Sequence, residues 1–196
     1  MQLLFASSNK NKIREVTQLL PEGFSLYGLQ DIGIEEEIPE PGSTIKENSF
    51  LKANYVVEKL KKDGKKMVVF ADDSGLEAEA LDNAPGVYSA RYAGVPKSDT
   101  ANNEKLIKEL SSQLNRKARF VTVITLISNG AICYFEGEVK GTISNTPRGN
   151  NGFGYDPLFV PEGYSKTFAE FTSEEKNAIS HRGRAVQKLI EFLKSK

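Results

Sequence analysis

Runs of apolar residues that are typical of buried strands occur at four places along the chain. Residues 2–6 and 67–71 carry almost only apolar side chains, which favours strands that are buried on both faces. Residues 118–128 and 131–140 are two longer strand-like runs, and the Asn129-Gly130 pair between them is a strong signal for a hairpin turn. The pattern therefore predicts at least one antiparallel pair of strands.

Apolar residues recur at helical spacing in four other segments, which are 13–20, 44–61, 99–114 and 185–193. At the start of the second segment, Thr44 and Glu47 are spaced as a capping box. Because strands and helices are mixed and include a hairpin, we expect an α/β fold with α+β character, in which helices flank a mixed sheet. No linker or repeat divides the chain, so residues 1–196 are predicted to form one domain.

Charge and composition narrow the class of protein. Lys and Arg together number 26, as do Asp and Glu, so no net charge draws the chain to nucleic acid or to an anionic membrane. The single cysteine, Cys133, lies in an apolar stretch, as is usual for a core position in a reducing compartment. We see no signal peptide and no apolar run near the ~20 residues of a membrane helix, so we expect a soluble, cytoplasmic protein.

The apolar run 67–71 leads directly into Asp72-Asp73-Ser74-Gly75, which is predicted as a turn just beyond the carboxyl end of a strand. Ligands and metals bind at this position in sheet proteins, although a turn capped by an aspartate explains the pattern equally well. If the strand persists, its adjacent aspartates point to opposite faces, so that one meets a ligand while the other braces the structure. Glu40, in an acidic loop, is a candidate partner for a hard cation such as magnesium, but alone it is more often a solvated charge.

A polar segment follows the first predicted strand and precedes a helix. Backbone N–H groups and the dipole at a helix N-terminus favour phosphate, and lysines add positive charge. A solvated cap is the commoner explanation for such a segment. Its residues are Ser7, Ser8, Asn9, Lys10, Asn11 and Lys12.

The glycine-rich segment 149–157 places Phe153 between two glycines. Glycine lets the backbone bend sharply, so the ring is available as a stacking platform for a nucleotide base, and Asp156 is available to accept a hydrogen bond from a base or ribose. A turn with Phe153 and Tyr155 in the core is an equally good interpretation.

Near the C-terminus, Lys176 precedes Ser180-His181-Arg182-Gly183. Ser180 is a plausible N-cap for the last helix, which places His181 and Arg182 in the first turn. A cation is unfavourable at this end of a helix, and a bound anion or a carbonyl acceptor would explain it. An ordinary surface His-Arg pair is slightly the commoner case.

In this order, these segments resemble the inosine triphosphate pyrophosphatase-like family, and the resemblance extends from near the start of the chain to near its end. One departure is Ser8, which stands where many members have glycine. The matching stretches are SSNKNK, EPGSTIKENS, FADDSGL, APGVYSARYAG, GFGYDP and EEKNAISHRG.

The resemblance implies a curved mixed sheet with two lobes around a central nucleotide-binding cleft, and a homodimer. It implies that residues 7–12 hold a triphosphate, with Lys12 catalytic, and that Glu40 and Asp73 bind Mg²⁺, with Asp73 also the general base. The remaining residues implied to bind substrate are Ser74, Phe153, Gly154, Tyr155, Asp156, Lys176, His181 and Arg182.

The reaction implied is hydrolysis of non-standard purine nucleoside triphosphates (ITP, dITP, XTP) to the monophosphate and pyrophosphate. Hypoxanthine and xanthine carry a 6-keto acceptor where adenine has an amino donor, so a donor such as Arg182 or His181 would disfavour adenine. One alternative is a pyrophosphatase for modified pyrimidine nucleotides, as in the Maf-like fold. A non-catalytic nucleotide sensor is another, and a nucleic-acid-binding module is weaker because the net charge is zero.

Overall fold

The computed structural model describes residues 1–195. It contains six strands and five α-helices, together with short 3₁₀ turns. The strands are β1 (Gln2–Phe5), β2 (Ser25–Tyr27), β3 (Val68–Ala78), β4 (Lys117–Ser128), β5 (Ala131–Ile143) and β6 (Phe159–Pro161). The helices are α1 (Lys10–Leu19), α2 (Ile45–Lys62), α3 (Asp99–Glu109), α4 (Ser173–Ile179) and α5 (His181–Lys194).

The strands form one mixed sheet in the order β2-β1-β3-β4-β5-β6. β1 pairs in parallel with both β2 and β3, whereas β5 and β6 pair antiparallel. The predicted turn joins the neighbouring strands β4 and β5, and both Asn129 (φ 49°) and Gly130 (φ 82°) take the positive φ of a tight hairpin turn. The prediction of a mixed sheet flanked by helices is confirmed.

The described chain divides into two compact units, each assembled from separate stretches of sequence. Unit 1 comprises 1–73, 122–136 and the chain from residue 183 onward, and unit 2 comprises 74–121 and 137–182.

In unit 1 the sheet has an apolar core on each face, because alternate residues of a strand point to opposite sides. Leu4 of β1 and Val69 of β3 pack with Val56 of α2 in one cluster. Phe5 and Phe70 stack in the other cluster, with ring centroids 4.7 Å apart. The second cluster also takes in apolar residues of α1 and α5, which are Val16, Ala185, Val186, Leu189 and Leu193.

Unit 2 has a single core that is rich in aromatic rings. Phe120 of β4, Phe159 of β6 and Phe168 contact one another, with centroid distances of 4.7 Å (Phe120–Phe159), 6.1 Å (Phe120–Phe168) and 5.1 Å (Phe159–Phe168). Leu106 and Leu110, from α3 and its C-cap, are buried in the same cluster.

Two of the wrongly predicted boundaries lie near the middle of the chain. The Asp72-Asp73-Ser74-Gly75 segment is not a turn, because β3 continues through it to Ala78. The helix predicted over 99–114 ends at Glu109, where the Ser111 hydroxyl donates to the Lys108 carbonyl and competes with the helical pattern; Leu114 is consequently fully exposed. In the described part of the chain, no helix combines the length and the apolar character needed to span a membrane.

Candidate active site

The two adjacent aspartates of β3 point to opposite faces of the sheet, as the alternation of a persisting strand predicts. Asp72 shares the face of Phe70, where α1 packs, and its Oδ1 lies 3.0 Å from the Nζ of Lys12. Asp73 shares the face of Val69, where α2 packs, and its Oδ1 lies 3.1 Å from the Nζ of Lys52. The strand can therefore carry two buried carboxylates in its interior, because each is paired with a lysine from the helix on its own face.

Lys52 joins the two carboxylates that were predicted to hold a metal. Its Nζ donates to Glu40 Oε1 at 2.5 Å as well as to Asp73, so both acids converge on one positive charge. Lys52 is a site residue that the sequence reasoning missed. The signal for it was its place seven residues after Ile45 and four before Val56, on the buried stripe of α2.

The carboxylate pair fits a hard divalent cation. Two converging oxygen donors are what magnesium takes from a protein when waters and substrate phosphates complete its coordination. Residues 1–195 contain no group of three or more His, Cys, Asp or Glu side chains placed to hold a metal. Glu40 and Asp73 thus supply two oxygen donors, and the described residues do not form a complete metal site around them.

Burial raises the pKa of Asp73 above its usual range, against the opposing attraction of Lys52 and Lys12. Burial lowers the pKa of Lys52, but Asp73 and Glu40 outweigh it, so this pKa is raised as well. Lys52 therefore stays charged at neutral pH, while Asp73 holds its proton more readily than an exposed carboxyl group. A carboxylate of this kind is suited to accept a proton from water.

The polar segment 7–12 forms the entry to α1, and the helix begins earlier than predicted, at Lys10. Asn9 is the N-cap: its Oδ1 accepts from the N–H groups of Asn11 and Lys12 at 3.0 and 3.2 Å. Ser7 accepts from the Asn9 N–H. The capping interpretation thus holds for Asn9, and the lysine side chains remain as the candidates to meet an anion.

The two aromatic residues of the glycine-rich loop in unit 2 differ in burial. Tyr155 is buried, and its hydroxyl donates to the Ser89 carbonyl at 2.9 Å, so its side chain belongs to the core. Phe153 is only half-buried. The Asp156 carboxylate accepts from the Phe153 N–H at 2.8 Å and from Lys176 Nζ at 2.5 Å.

Cationic groups surround the Phe153 ring. Lys176 Nζ lies 4.9 Å from the ring centroid and Arg182 Cζ lies 5.6 Å from it, both within the range of a cation–π contact. Arg182 is 2 % exposed, and its Nη2 donates to Ser74 Oγ at 3.0 Å. This arrangement places an aromatic ring beside two side chains that can donate hydrogen bonds.

His181 and Arg182 are not a surface pair. The imidazole of His181 stacks on Phe120, with centroids 4.6 Å apart and planes 8° from parallel, and the residue is 4 % exposed. Ser180 precedes α5 as predicted and is also the C-cap of α4, the short helix that carries Lys176.

Within each unit some of the predicted site residues are in contact, and in unit 1 they form two sets on opposite faces of β3. Lys12 and Asp72 form an ion pair in unit 1, and Glu40 and Asp73 meet through Lys52. The members in unit 2 connect through the Phe153 ring and the Arg182 guanidinium and are Ser74, Phe153, Asp156, Lys176 and Arg182.

Comparison with known proteins gives a consistent family. The model of the Ham1 family matches residues 3–192. The chain is 52% identical over 195 residues to a dITP/XTP pyrophosphatase of Flavobacterium psychrophilum, with 100% of both chains covered. It is 48% identical to the dITP/XTP pyrophosphatase of Porphyromonas gingivalis, over 98% of this chain and 97% of the other.

A solved structure is also similar along its whole length. The structure of a HAM1 protein from Coxiella burnetii matches with a TM-score of 0.90 and 36% identity, covering 100% of each chain. The chain belongs to the Ham1 family.

Proposed function

We propose that this protein hydrolyses the non-standard purine nucleoside triphosphates dITP, ITP and XTP to the monophosphate and pyrophosphate. The observation that carries the proposal is full-length identity of 52% to a dITP/XTP pyrophosphatase. The arrangement of Glu40, Lys52 and Asp73 supports it, because two carboxylates meet at one buried lysine.

In the proposed reaction a water oxygen attacks the α-phosphorus, and the bond from that phosphorus to the oxygen that bridges the α- and β-phosphates breaks. This oxygen leaves with the pyrophosphate. Asp73 is the proposed acceptor of the proton of the attacking water. Lys12 and Lys52, with Lys10, stabilise negative charge on the phosphates and on the departing pyrophosphate. The remaining residues of segment 7–12, which are Ser7, Ser8, Asn9 and Asn11, frame the triphosphate.

Mg²⁺ is the proposed cofactor, held by Glu40 and Asp73. When bound, the ion neutralises phosphate oxygens and makes the phosphorus a better electrophile. The two carboxylates lie within hydrogen-bond distance of one Lys52 Nζ, which supports a cation-binding role for the pair.

The proposed base-recognition residues lie in unit 2. Phe153 stacks on the purine, and Lys176 and Asp156 hold the loop that presents it. The backbone of Gly154 and Tyr155 borders the base and sugar, and Ser74 contacts the substrate. Arg182, with His181, is proposed to donate to the 6-keto oxygen that distinguishes hypoxanthine and xanthine from adenine.

The test is pyrophosphate release from a panel of ITP, dITP, XTP, ATP, GTP, dUTP and dTTP, with and without Mg²⁺. We expect release from the first three at a kcat/KM at least about tenfold above that of ATP, since a mismatched buried polar group costs about 1–3 kcal/mol. Preference for dUTP or dTTP would instead identify a Maf-like pyrimidine pyrophosphatase. Nucleotide binding without any release would identify a sensor.

A homodimer is a further proposal, supported by the family resemblance, and sedimentation at micromolar concentration tests it. The cytoplasmic location is supported by the lone cysteine, Cys133. Fractionation of cells that express the protein tests that proposal.

A further inference from the structure

We propose that Asp99 and Asn103 of α3 are positioning residues that clamp Gly154 and thereby fix the orientation of the Phe153 ring. The two residues are four apart in sequence, so they lie on one face of the helix. The proposal rests on the proposed function, in which Phe153 stacks on the base.

The two side chains bind both polar groups of one glycine. The Gly154 N–H donates to Asp99 Oδ2 at 2.7 Å, and Asn103 Nδ2 donates to the Gly154 carbonyl at 2.9 Å. Gly154 has a φ of 62°, and a Cβ there would meet nothing within 4 Å. Glycine is therefore needed at this position for its backbone conformation, and the helix holds that conformation from both sides.

Phe153, the residue before Gly154, is held by Asp156 of the same loop. The Phe153 N–H donates to Asp156 Oδ2, and the Phe153 carbonyl accepts from the Asp156 N–H at 3.2 Å. All four main-chain polar groups of Phe153 and Gly154 are thus bonded. A ring carried by such a backbone loses little further freedom when a base stacks on it, which lowers the entropic cost of binding.

The neighbouring residues Asn102 and Asn103 differ in how their side-chain amides are bonded. Asn102 is bonded at both ends of its amide: Oδ1 accepts from the Ala93 N–H at 2.7 Å, and Nδ2 donates to the Ala90 carbonyl. Asn103 Oδ1 is buried and has no hydrogen-bond partner within residues 1–195. A buried acceptor of this kind destabilises a fold, so the observed bond to Gly154 is retained at a cost.

The decisive variant is Asn103→Leu, which removes the clamp together with the unsatisfied acceptor. We expect the KM for ITP to rise about three- to tenfold, as the loss of one hydrogen bond implies, with kcat changed less than about twofold. Tm should fall by no more than about 4 °C. Asn102→Leu is the matched control, in which Tm falls further and KM stays within about twofold.

Asp99 provides a second test through its conservative variant. Asp99→Ala should raise KM about three- to tenfold, whereas Asp99→Asn keeps an oxygen acceptor and should restore KM to within about twofold of the wild type. An unchanged KM in both Asn103→Leu and Asp99→Ala would overturn the proposal. The proposal would also be overturned if KM rose in proportion to the loss of Tm, with the same proportion in Asn102→Leu and Asn103→Leu.

Amide hydrogen exchange separates failure of this proposal from failure of the proposed function. The clamp predicts that exchange in segment 151–158 becomes at least about tenfold faster in Asn103→Leu but not in Asn102→Leu, whether or not any nucleotide is hydrolysed. Unchanged exchange would overturn the clamp. An inactive wild-type protein would overturn the proposed function alone.

Discussion

The two units hold their candidate site residues by different means. In unit 1 the reactive groups are held by ion pairs between side chains, since Lys12 meets Asp72 and Lys52 meets Asp73 across the strand–helix contacts. In unit 2 the Phe153 ring, the candidate for stacking on a base, is held through the main chain that carries it. Side chains of the loop and of α3 form hydrogen bonds with the main chain of Phe153 and Gly154. Charge placement therefore depends on the packing of regular elements in the first unit, and ring placement depends on the conformation of a loop in the second.

The largest expected effect separates the two aspartates of unit 1. Asp73→Asn should lower the kcat of pyrophosphate release by about 10²- to 10⁴-fold, which is the usual contribution of a general base. Burial raises the pKa of Asp73, so its ionised form is disfavoured in the fold, and Lys52 keeps Glu40 as a partner in the variant. We therefore expect the free energy of unfolding to fall less than in Asp72→Asn. Pyrophosphate release and urea denaturation measure the two quantities, and turnover near the wild-type value would remove Asp73 as the base.

Substitution of the neighbouring Asp72 should lower stability more than it lowers kcat. Asp72→Asn leaves Lys12 facing an amide where a fully buried carboxylate stood, and breaking such a pair costs about 3 kcal/mol of stability. We expect a clear loss in the urea midpoint, with kcat reduced much less than in Asp73→Asn. Loss of turnover at full stability in Asp72→Asn would reverse the roles assigned to the two carboxylates.

Removal of the Phe153 ring tests whether unit 2 binds the base by stacking. Phe153→Ala should raise the KM for ITP about 5- to 150-fold, since stacking on a base contributes about 1–3 kcal/mol, while kcat changes less. Tyr88→Ala is the matched control, because Tyr88 is an exposed ring of the same unit that also has an arginine, Arg91, near its face. Equal KM values for Phe153→Ala and the wild type would show that the ring does not bind substrate.

The parts of the molecule that follow from periodicity could be predicted from the sequence. The hairpin at Asn129-Gly130 and the helix capped by Thr44 depend on local geometry alone. The divergence of Asp72 from Asp73 follows from alternation once the strand continues through them. The continuation of β3 through the aspartates could not be predicted, because it depends on two lysines that are 60 and 21 residues away in sequence. The strand is stable there only because tertiary contacts neutralise its buried charges.

The roles of the aromatic residues in the loop of unit 2 could not be predicted from the sequence either. The sequence left Phe153 and Tyr155 equally placed for core or ligand, and the structure buries Tyr155 through a bond to Ser89, 66 residues away. Lys52 was visible as a charged residue on an apolar helical stripe, but its two partners were not. Side-chain roles that depend on such distant partners need the folded structure.

The smallest expected effects compare the helices that support each site. Thr44 caps α2, which carries Lys52, and Ser98 caps α3, which carries Asp99 and Asn103. Thr44→Ala and Ser98→Ala should each cost about 1 kcal/mol of stability, the usual value of an N-cap.

Ser98→Ala should in addition raise the KM for ITP about two- to threefold, because fraying of the first turn loosens the Asp99 contact with Gly154. Thr44→Ala should leave KM unchanged, since Lys52 lies two turns further along α2 and is held by two carboxylates. If both variants shift KM equally at equal loss of stability, ring placement in unit 2 is no more sensitive to its supporting helix than charge placement in unit 1.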